Sequence, residues 1–432
     1  MNELKEPEIR VSPKRTPKPV RLLTASNLLS EAALNDNERQ PLLRELQVEG
    51  LLSFGEKTHF KFGQLNILVG ANGSGKSNLI DCLRMLQYAP LDIQETFKRS
   101  GFEEWLYRGA SKLTDRAFVE VIATLPELPN RFRHQIRLGP PINSQSALDE
   151  LISNVDARGE DTDPYFIGSY RTTATLTYLG SGKRHRQRKL SSNEYNHFRS
   201  ILSQIRDIGQ YPEITRLASF YANFRIYTEW MFGRTSNLRE ATPAGRSGIT
   251  LSESMDDLAL VLNGLENTPA HERIRELLQE LKETYRDFAT RIFFGRVGLE
   301  LVEAPFERSP LPANRLSDGT LRFLALAAIL LQKDPPPLIC LEEPELGMHP
   351  DMIRLVATMI IDASVKTQLI ITTHSEHLLS ALQDHFDVLF AFDTGVAGSV
   401  VRSFSREEYE DWRENHNLGE LWTSGELGGN RW

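Results

Sequence analysis

The segment "GANGSGKS", Gly70 to Ser77, sets glycines, a lysine and a hydroxyl at the spacing G-x-x-x-x-G-K-[ST]. Glycines let a tight loop turn its amides toward phosphate oxygens, and a following helix adds positive potential at its N-terminus. Lys76 is spaced to reach the terminal phosphates of a nucleoside triphosphate, and the Ser77 hydroxyl to ligate Mg²⁺. Gly70, Ala71, Asn72, Gly73, Ser74, Gly75, Lys76, Ser77 and Asn78 are therefore the candidate ATP-binding residues. The competing reading is a glycine-rich turn that holds no nucleotide. The flanks argue against it: an apolar run, Leu65 to Val69, precedes the loop, and Leu79, Ile80, Leu83 and Leu86 follow at helical spacing.

A second constellation lies in "LICLEEPELGMHP", Leu338 to Pro350, where an apolar run ends in Glu342 and Glu343, with Glu345 two residues on. Ionised carboxylates at the end of a buried strand are costly unless a cation or hydrogen-bond donors meet them. Beside a phosphate loop, Mg²⁺ is the expected cation. Glu342 is then the candidate metal ligand with Ser77, and Glu343 the candidate that orients and polarises an attacking water. Acids that only cap the helix starting near Pro350 are the alternative.

Two further motifs follow the same logic. "RLSDGT", Arg315 to Thr320, opens a helix just before the acid strand, and its Ser317 hydroxyl and Gly319 amide suit contact with a γ-phosphate. Within one sheet that helix start should lie far from Gly70. The expected geometry is a two-fold dimer in which each chain's serine completes its partner's nucleotide site. "IITTHSEHL" ends a strand at His374, placed to contact the γ-phosphate or the water. A lone histidine carries little weight; in this order of motifs it becomes a candidate catalytic residue with Glu343 and Lys76.

The elements that must position these residues alternate. A helix at 319–332, a strand at 338–341, a helix at 350–364 and a strand in "TQLIITTH" predict an α/β layer with a largely parallel sheet. Upstream, "LRELQVEGLLSFGEKTHFKFGQLNILVG" reads as three strands, and "RAFVEVIATL" and "YRTTATLTYLG" as further strands of an antiparallel part. "HERIRELLQELKETYRDFATRI", His271 to Ile292, has the spacing of one amphipathic helix with Ile274, Leu277, Leu278 and Leu281 inward. The expected organisation is a tail at 1–40, the first part of a nucleotide-binding head at 41–125, a long mixed α+β insertion at 126–300, the rest of the head at 301–400, and a closing segment at 401–432.

A net charge of −8, with 40% hydrophobic and 25% charged residues, fits a globular protein and excludes a generally basic nucleic-acid coat. Any DNA contact must come from a local patch, such as "GSGKRHRQRKL" with Lys183, Arg184, Arg186, Arg188 and Lys189, which reads equally as a charged edge strand. Arg225, Arg234, Arg239 and Arg246 are either a DNA or partner face or scattered surface arginines. Cys82 and Cys340 both sit in apolar patterns, as expected for a reducing cytoplasm, and the longest apolar run, Phe323 to Leu331, is too short to span a bilayer. The N-terminus shows no apolar signal core. Trp412, Trp422 and Trp432 crowd toward the C-terminus, where docking on the core or on a partner is expected.

The order phosphate loop, "LSDGT", "EEPE", His resembles an ABC-type ATPase head, of the kind shared by SMC-like DNA-repair proteins and overcoming-lysogenisation-defect nucleases. "ANGSGKSNLIDCLR", "WMFGRTSNLR", "NRLSDGTLRFLALAAIL", "PPPLICLEEPELGMHPD", "TQLIITTHSEHLL" and "LGELWTSGELGGNRW" are together similar to bacterial predicted ATPases of the AAA family, from about Leu43 to Trp432. The resemblance implies an ABC-type P-loop head that binds ATP and Mg²⁺. It also implies a homodimer or higher even-numbered assembly, and a separately encoded effector, a toprim-like nuclease among the possibilities, in DNA-related or anti-phage work. Glu342 departs from the aspartate usual at the metal position, and Asp318 and Thr320 from the glycine and glutamine of "LSGGQ". For the family's Q-loop glutamine, Gln135 and Gln187 are weak candidates. A Mg-dependent ATPase is the leading reading; a slowly hydrolysing, ATP-gated scaffold or sensor that holds an effector until triggered is the second, and a transporter subunit is disfavoured by the long stretch between Ser77 and Ser317.

Overall fold

The computed structural model describes residues 42–427 except 110–111, 114–115, 126–127, 129, 143–144, 158–163, 171–173, 180–184, 192, 246–249 and 411–416. The tail at 1–40 and Lys183, Arg184, Arg246, Trp412 and Trp432 lie outside the described residues.

The strand Leu65–Gly70 (β1) is buried at all six positions, as a central parallel strand covered on both faces should be. Around it stand Arg225–Tyr227 (β2), Leu338–Glu342 (β3), Gln368–Thr372 (β4), Val388–Gly395 (β5) and Gly398–Ser405 (β6). They form one six-stranded sheet in the order β2-β3-β4-β1-β5-β6. Every neighbouring pair is parallel except β5 with β6. The parallel sheet is therefore assembled from both ends of the chain, with β2 added from the middle.

Strand alternation divides the core in two. Leu65, Ile67, Val69, Ile339, Leu341, Leu369 and Ile371 face one cluster. There they meet the helices Asp318–Leu330 (α2), Pro350–Ser364 (α3) and Glu376–Leu382 (α4). Leu68, Leu338, Cys340, Ile370, Phe390 and Phe392 face the other cluster, with the helix Lys76–Tyr88 (α1) and a second sheet. That second sheet has eight antiparallel strands, including Leu43–Glu49, Thr58–Lys61, Ala117–Thr124 and Ala174–Leu179. Phe60 carries the contact between sheets, 5.6 Å from Phe390 and 6.1 Å from Phe392 between ring centroids. The α/β class, the parallel sheet and the antiparallel part all match the expectation from sequence.

α2 is buried at every position from Thr320 to Leu330, which explains why its sequence, "TLRFLALAAIL", is apolar on every side apart from Arg322 rather than on one stripe. The expected helix over His271–Ile292 is corrected. The helix runs Pro269–Leu281, Lys282 turns extended, and Tyr285–Phe293 is a strand paired antiparallel with Arg296–Glu303. Ile274, Leu277 and Leu278 are buried as expected, but past Leu281 the aromatic and β-branched residues gain a hairpin partner that a single-segment reading does not see. Among the described residues no helix is long and apolar enough to cross a membrane.

Because Leu324 is fully enclosed on α2, Leu324→Ala should destabilise the fold by about 2–5 kcal/mol. Urea unfolding that shifts by less than about 1 kcal/mol would show that this helix is not packed as described.

Candidate functional site

The carboxyl ends of β1, β3 and β4 lie side by side, and each delivers one of the motifs. After β1 the loop Gly70–Gly75 turns into α1. Gly75 adopts φ 110°, and a Cβ there would lie 2.1 Å from Ser399 Oγ, so both the turn and the close approach require glycine. α2, α3 and α4 each start on a side chain that caps an amide; α1 has no side-chain cap, which leaves its first-turn amides without such an acceptor. Ser74 Oγ is likewise buried without a partner. An anion in the loop supplies what these donors lack, so the residues fit a phosphate.

Lys76 is 6% exposed, and its Nζ donates to the loop carbonyls of Gly70 at 2.6 Å and Ala71 at 3.1 Å. Burial lowers its pKa, and the carboxylates of Glu343 and Glu342 work against that by favouring the ammonium. The loop therefore holds its lysine on weak acceptors, facing two acids.

At the end of β3, Glu342 accepts a hydrogen bond from Ser77 Oγ in the first turn of α1, which joins the two expected metal ligands. Among the described residues no three His, Cys, Asp or Glu side chains are arranged to hold a metal ion by themselves. This suits Mg²⁺, which usually takes one or two protein ligands and completes its shell with phosphate and water. Asp81 lines a cavity of about 570 Å³ beside this pair together with Arg84, Thr228 and Glu253. Burial pushes the Asp81 carboxyl up, and Glu342 adds to the effect while Arg84 opposes it. A cation beside Glu342 relieves that repulsion.

Glu343 occupies the left-handed region at φ 46°, a conformation that costs a non-glycine residue about 1–2 kcal/mol. Its amide is pinned by Thr372, donating to both the carbonyl and Oγ1 at 3.1 Å. The kink aims its carboxylate at His374, whose Nε2 stands 3.4 Å from Glu343 Oε1. Burial lowers the His374 pKa and the Lys76 charge lowers it further, against an opposing pull from Glu343, so the ring is neutral at neutral pH. Trp422, buried on a helix near the C-terminus, packs its ring 6.4 Å from His374.

Ser317 and Gly319 stand apart from this group. Ser317 is exposed and caps α2, accepting from the Thr320 amide at 3.1 Å; Gly319 faces Met352. Gln135 bonds Glu120 within the eight-stranded sheet, and Gln187 pairs there with Thr177; neither lines the cavity beside Ser77 and Glu342.

Three residues given no site role by the sequence turn out to organise the site. Glu345 is 7% exposed; one oxygen accepts from Thr373 Oγ1 and the His374 amide, and the other is buried without a partner. Trp230 Nε1 donates to the Glu342 carbonyl at 2.5 Å. Arg239 is corrected from a surface or DNA-facing arginine: its side chain is 6% exposed and bonds the carbonyls of Phe232, Ala313 and Leu316 and the carboxylate of Asp318. Arg225 also turns inward to carbonyls, at Ala222 and Phe224. The signal for Glu345 was available in "EEPE"; an arginine spent on carbonyls has none.

Burial raises the Glu345 pKa. A carboxyl whose folded pKa is raised is stabilising while protonated and loses that contribution as pH rises through its folded value. Glu345→Gln keeps the acceptor and removes the titration, so its stability relative to wild type should be higher at pH 8 than at pH 5. Denaturant titrations at the two pH values test this; a difference that does not change with pH contradicts a raised pKa.

Comparison with known proteins agrees with this geometry. A family model described as "AAA domain, putative AbiEii toxin, Type IV TA system" matches residues 65–380, well over half of the chain. Structural maintenance of chromosomes protein 3 of Arabidopsis thaliana is 27% identical over 153 residues, which are 32% of this chain and only 12% of that protein's length. The crystal structure of an Smc head bound to the C-winged helix domain of ScpA superposes with a TM-score of 0.55 at 16% identity, over 86% of this chain and all of that one. A Pyrococcus furiosus Smc head domain with an extended coiled coil, bound to the C-terminal domain of ScpA, gives 0.50 at 14% identity, over 87% and 99% of the two chains. The chain belongs to the family of that AAA domain model, and its fold is that of an SMC-like, ABC-type ATPase head.

Proposed function

We propose that this protein is a Mg-dependent ATPase that closes head to head around two nucleotides and works on a separate effector. The observation that carries the proposal is the convergence of Lys76, the Ser77–Glu342 pair and the Glu343–His374 pair at the carboxyl ends of adjacent parallel strands. Ligands of such sheets bind at that edge.

In this reading the amides of Gly70 to Asn78 cradle the phosphates, and Lys76 leaves the Gly70 and Ala71 carbonyls for the phosphate oxygens. Ser77 and Glu342 would hold Mg²⁺, which would supply positive charge to neutralise the phosphates. Glu343 accepts a hydrogen bond from the attacking water and aligns it. His374, neutral and 3.4 Å from Glu343, donates toward the same water or the γ-phosphate. Water adds to the γ-phosphorus, the bond to the ADP oxygen breaks, and Lys76 stabilises the charge that develops. Ser317 and Gly319 sit at an exposed helix start of their own chain, so they serve the nucleotide of a partner copy. Exposed Met231 (68%), next to Trp230, and Leu346 (57%), whose carbonyl accepts from Arg322, supply apolar surface for such a partner.

Closure and hydrolysis would drive a separately encoded effector in the cytoplasm, in DNA-related or anti-phage defence. The "putative AbiEii toxin, Type IV TA system" wording of the family model supports that setting, and a toprim-like nuclease is the effector the motif resemblance favours.

Glu343→Gln should lower steady-state ATP hydrolysis by about 100-fold or more while ATP binding persists. Mass measured under ATP should rise in the variant as the closed dimer accumulates. If neither protein hydrolyses ATP and both keep the same mass with and without it, the ATPase reading fails and an ATP-gated scaffold replaces it.

A further inference from the structure

The segment Thr228–Arg239 contributes no expected ATP-binding or catalytic residue, yet it touches α1, the end of β3 and the start of α2, three of the elements that do. At its start, Thr228 Oγ1 accepts from Arg84 of α1 at 3.0 Å, and Arg84 is also paired with Glu253 at 3.1 Å. Next, Trp230 donates to the main-chain carbonyl of Glu342. Its indole and the Phe232 ring stack at 6.1 Å, and the Arg322 guanidinium stands 5.3 Å from the first and 5.2 Å from the second. Arg322 is 8% exposed, projects from α2, and donates to the Leu346 carbonyl in the loop after the acids. At its end, Arg239 engages all three guanidinium nitrogens. Nε donates to the Phe232 and Gly233 carbonyls at 3.2 Å, Nη1 to Ala313 at 3.1 Å and Leu316 at 2.7 Å, and Nη2 to Phe232 at 3.1 Å and to Asp318.

We infer that Thr228–Arg239 is a positioning strap that fixes the Ser317 turn relative to the acid strand of the same chain, with Trp230 and Arg239 as its two fastenings. The inference rests on the proposed head-to-head reading, and it adds a consequence to it. In that dimer the Glu342 and Ser317 of one chain serve different nucleotides. A rigid link between them makes nucleotide bound on one side bear on the geometry of the other, so the two sites act cooperatively.

The chemistry of the fastenings supports a fixed geometry over mere packing. A guanidinium can satisfy carbonyls and a carboxylate in several directions at once because its donors form a planar fork; an ammonium cannot. Burying that charge among carbonyls is costly unless each bond is made. The Trp230 bond goes to the carbonyl of the metal-ligating position itself, one peptide before the strained Glu343. A shift of β3 when its carboxylate takes up a cation is therefore carried directly into the indole, and from the Trp230–Phe232 stack to the Phe232 carbonyl that Arg239 holds.

The test compares Trp230→Phe, Arg239→Lys and Ser317→Ala in the full chain, each alone and each strap variant with Ser317→Ala. Measured are the affinity of the resting chain for a fluorescent ATP analogue, kcat, the Hill coefficient for ATP, mass under ATP, and Tm. Trp230→Phe keeps an aromatic ring under Arg322 while removing the N–H and part of the indole's bulk, so Tm, read beside the Hill coefficient, separates lost packing from the lost bond even if Arg239→Lys folds poorly.

Each strap variant should lower kcat about tenfold and bring the Hill coefficient toward one, with analogue affinity within about twofold of wild type. Adding Ser317→Ala should cost little more than Ser317→Ala alone, as for residues acting on one element. Wild-type kcat and Hill coefficient in Trp230→Phe, losses that multiply with those of Ser317→Ala, or a fall in affinity and Tm that accounts for the lost rate would each overturn the strap. If Ser317→Ala lowers turnover while the strap variants do not, only the strap fails. If Ser317→Ala changes neither turnover nor mass under ATP, the head-to-head reading fails and the strap with it.

Discussion

Three carboxylates at the end of an apolar strand, Glu342, Glu343 and Glu345, set the terms for the rest of the molecule. They stand where β3 leaves the core, and the desolvation that raises Glu345 can be offset only by donors and cations brought from elsewhere. Each is met differently. Ser77 comes across from α1 to Glu342, His374 from β4 to Glu343, and Thr373 with the His374 amide to Glu345. Lys76 stands over the group as the nearby ammonium, its charge favoured by Glu343 and Glu342. The parallel register of β1, β3 and β4 is what makes those meetings possible, because it ends the three strands at one edge.

The two cores exist to hold that edge still. Alternate residues of the same strands feed opposite clusters, so displacing β3 by one residue would exchange Ile339 and Leu341 for Leu338 and Cys340 on both faces at once. The fully buried α2 braces one side and the eight-stranded sheet the other. Local strain is then affordable: Glu343 stays in its left-handed conformation because Thr372 fixes its amide from a neighbouring strand and the following loop is held by Arg322.

The site is also incomplete in an informative way. The Ser77–Glu342 pair offers a hard cation only part of its shell, and the amides at the start of α1 have no side-chain cap. Ser317 looks outward from the start of α2, in a turn that Arg239 ties through Leu316 and Asp318 and the phosphate loop does not. In the proposed function, phosphate fills the first gap and a second copy of the chain uses the outward-facing serine.

Much of this was written in local chemistry. "GANGSGKS" between an apolar run and a helical one, an apolar strand ending in acids, and a histidine after "IITT" determine by themselves a phosphate loop, its acid strand and the α/β layer that carries them, because loop geometry and strand burial depend on near neighbours in the chain. What depended on distant neighbours was not readable. The helix expected over His271–Ile292 stops at Leu281 because Tyr285–Phe293 finds Arg296–Glu303 as a partner. Arg239 reads as a surface charge until Phe232, Ala313 and Leu316 turn their carbonyls toward it. Trp230 has no role in the sequence, and its N–H meets a carbonyl more than a hundred residues away. Backbone carbonyls leave no mark in a sequence, since every residue has one; only the tertiary structure decides which of them a buried donor must satisfy.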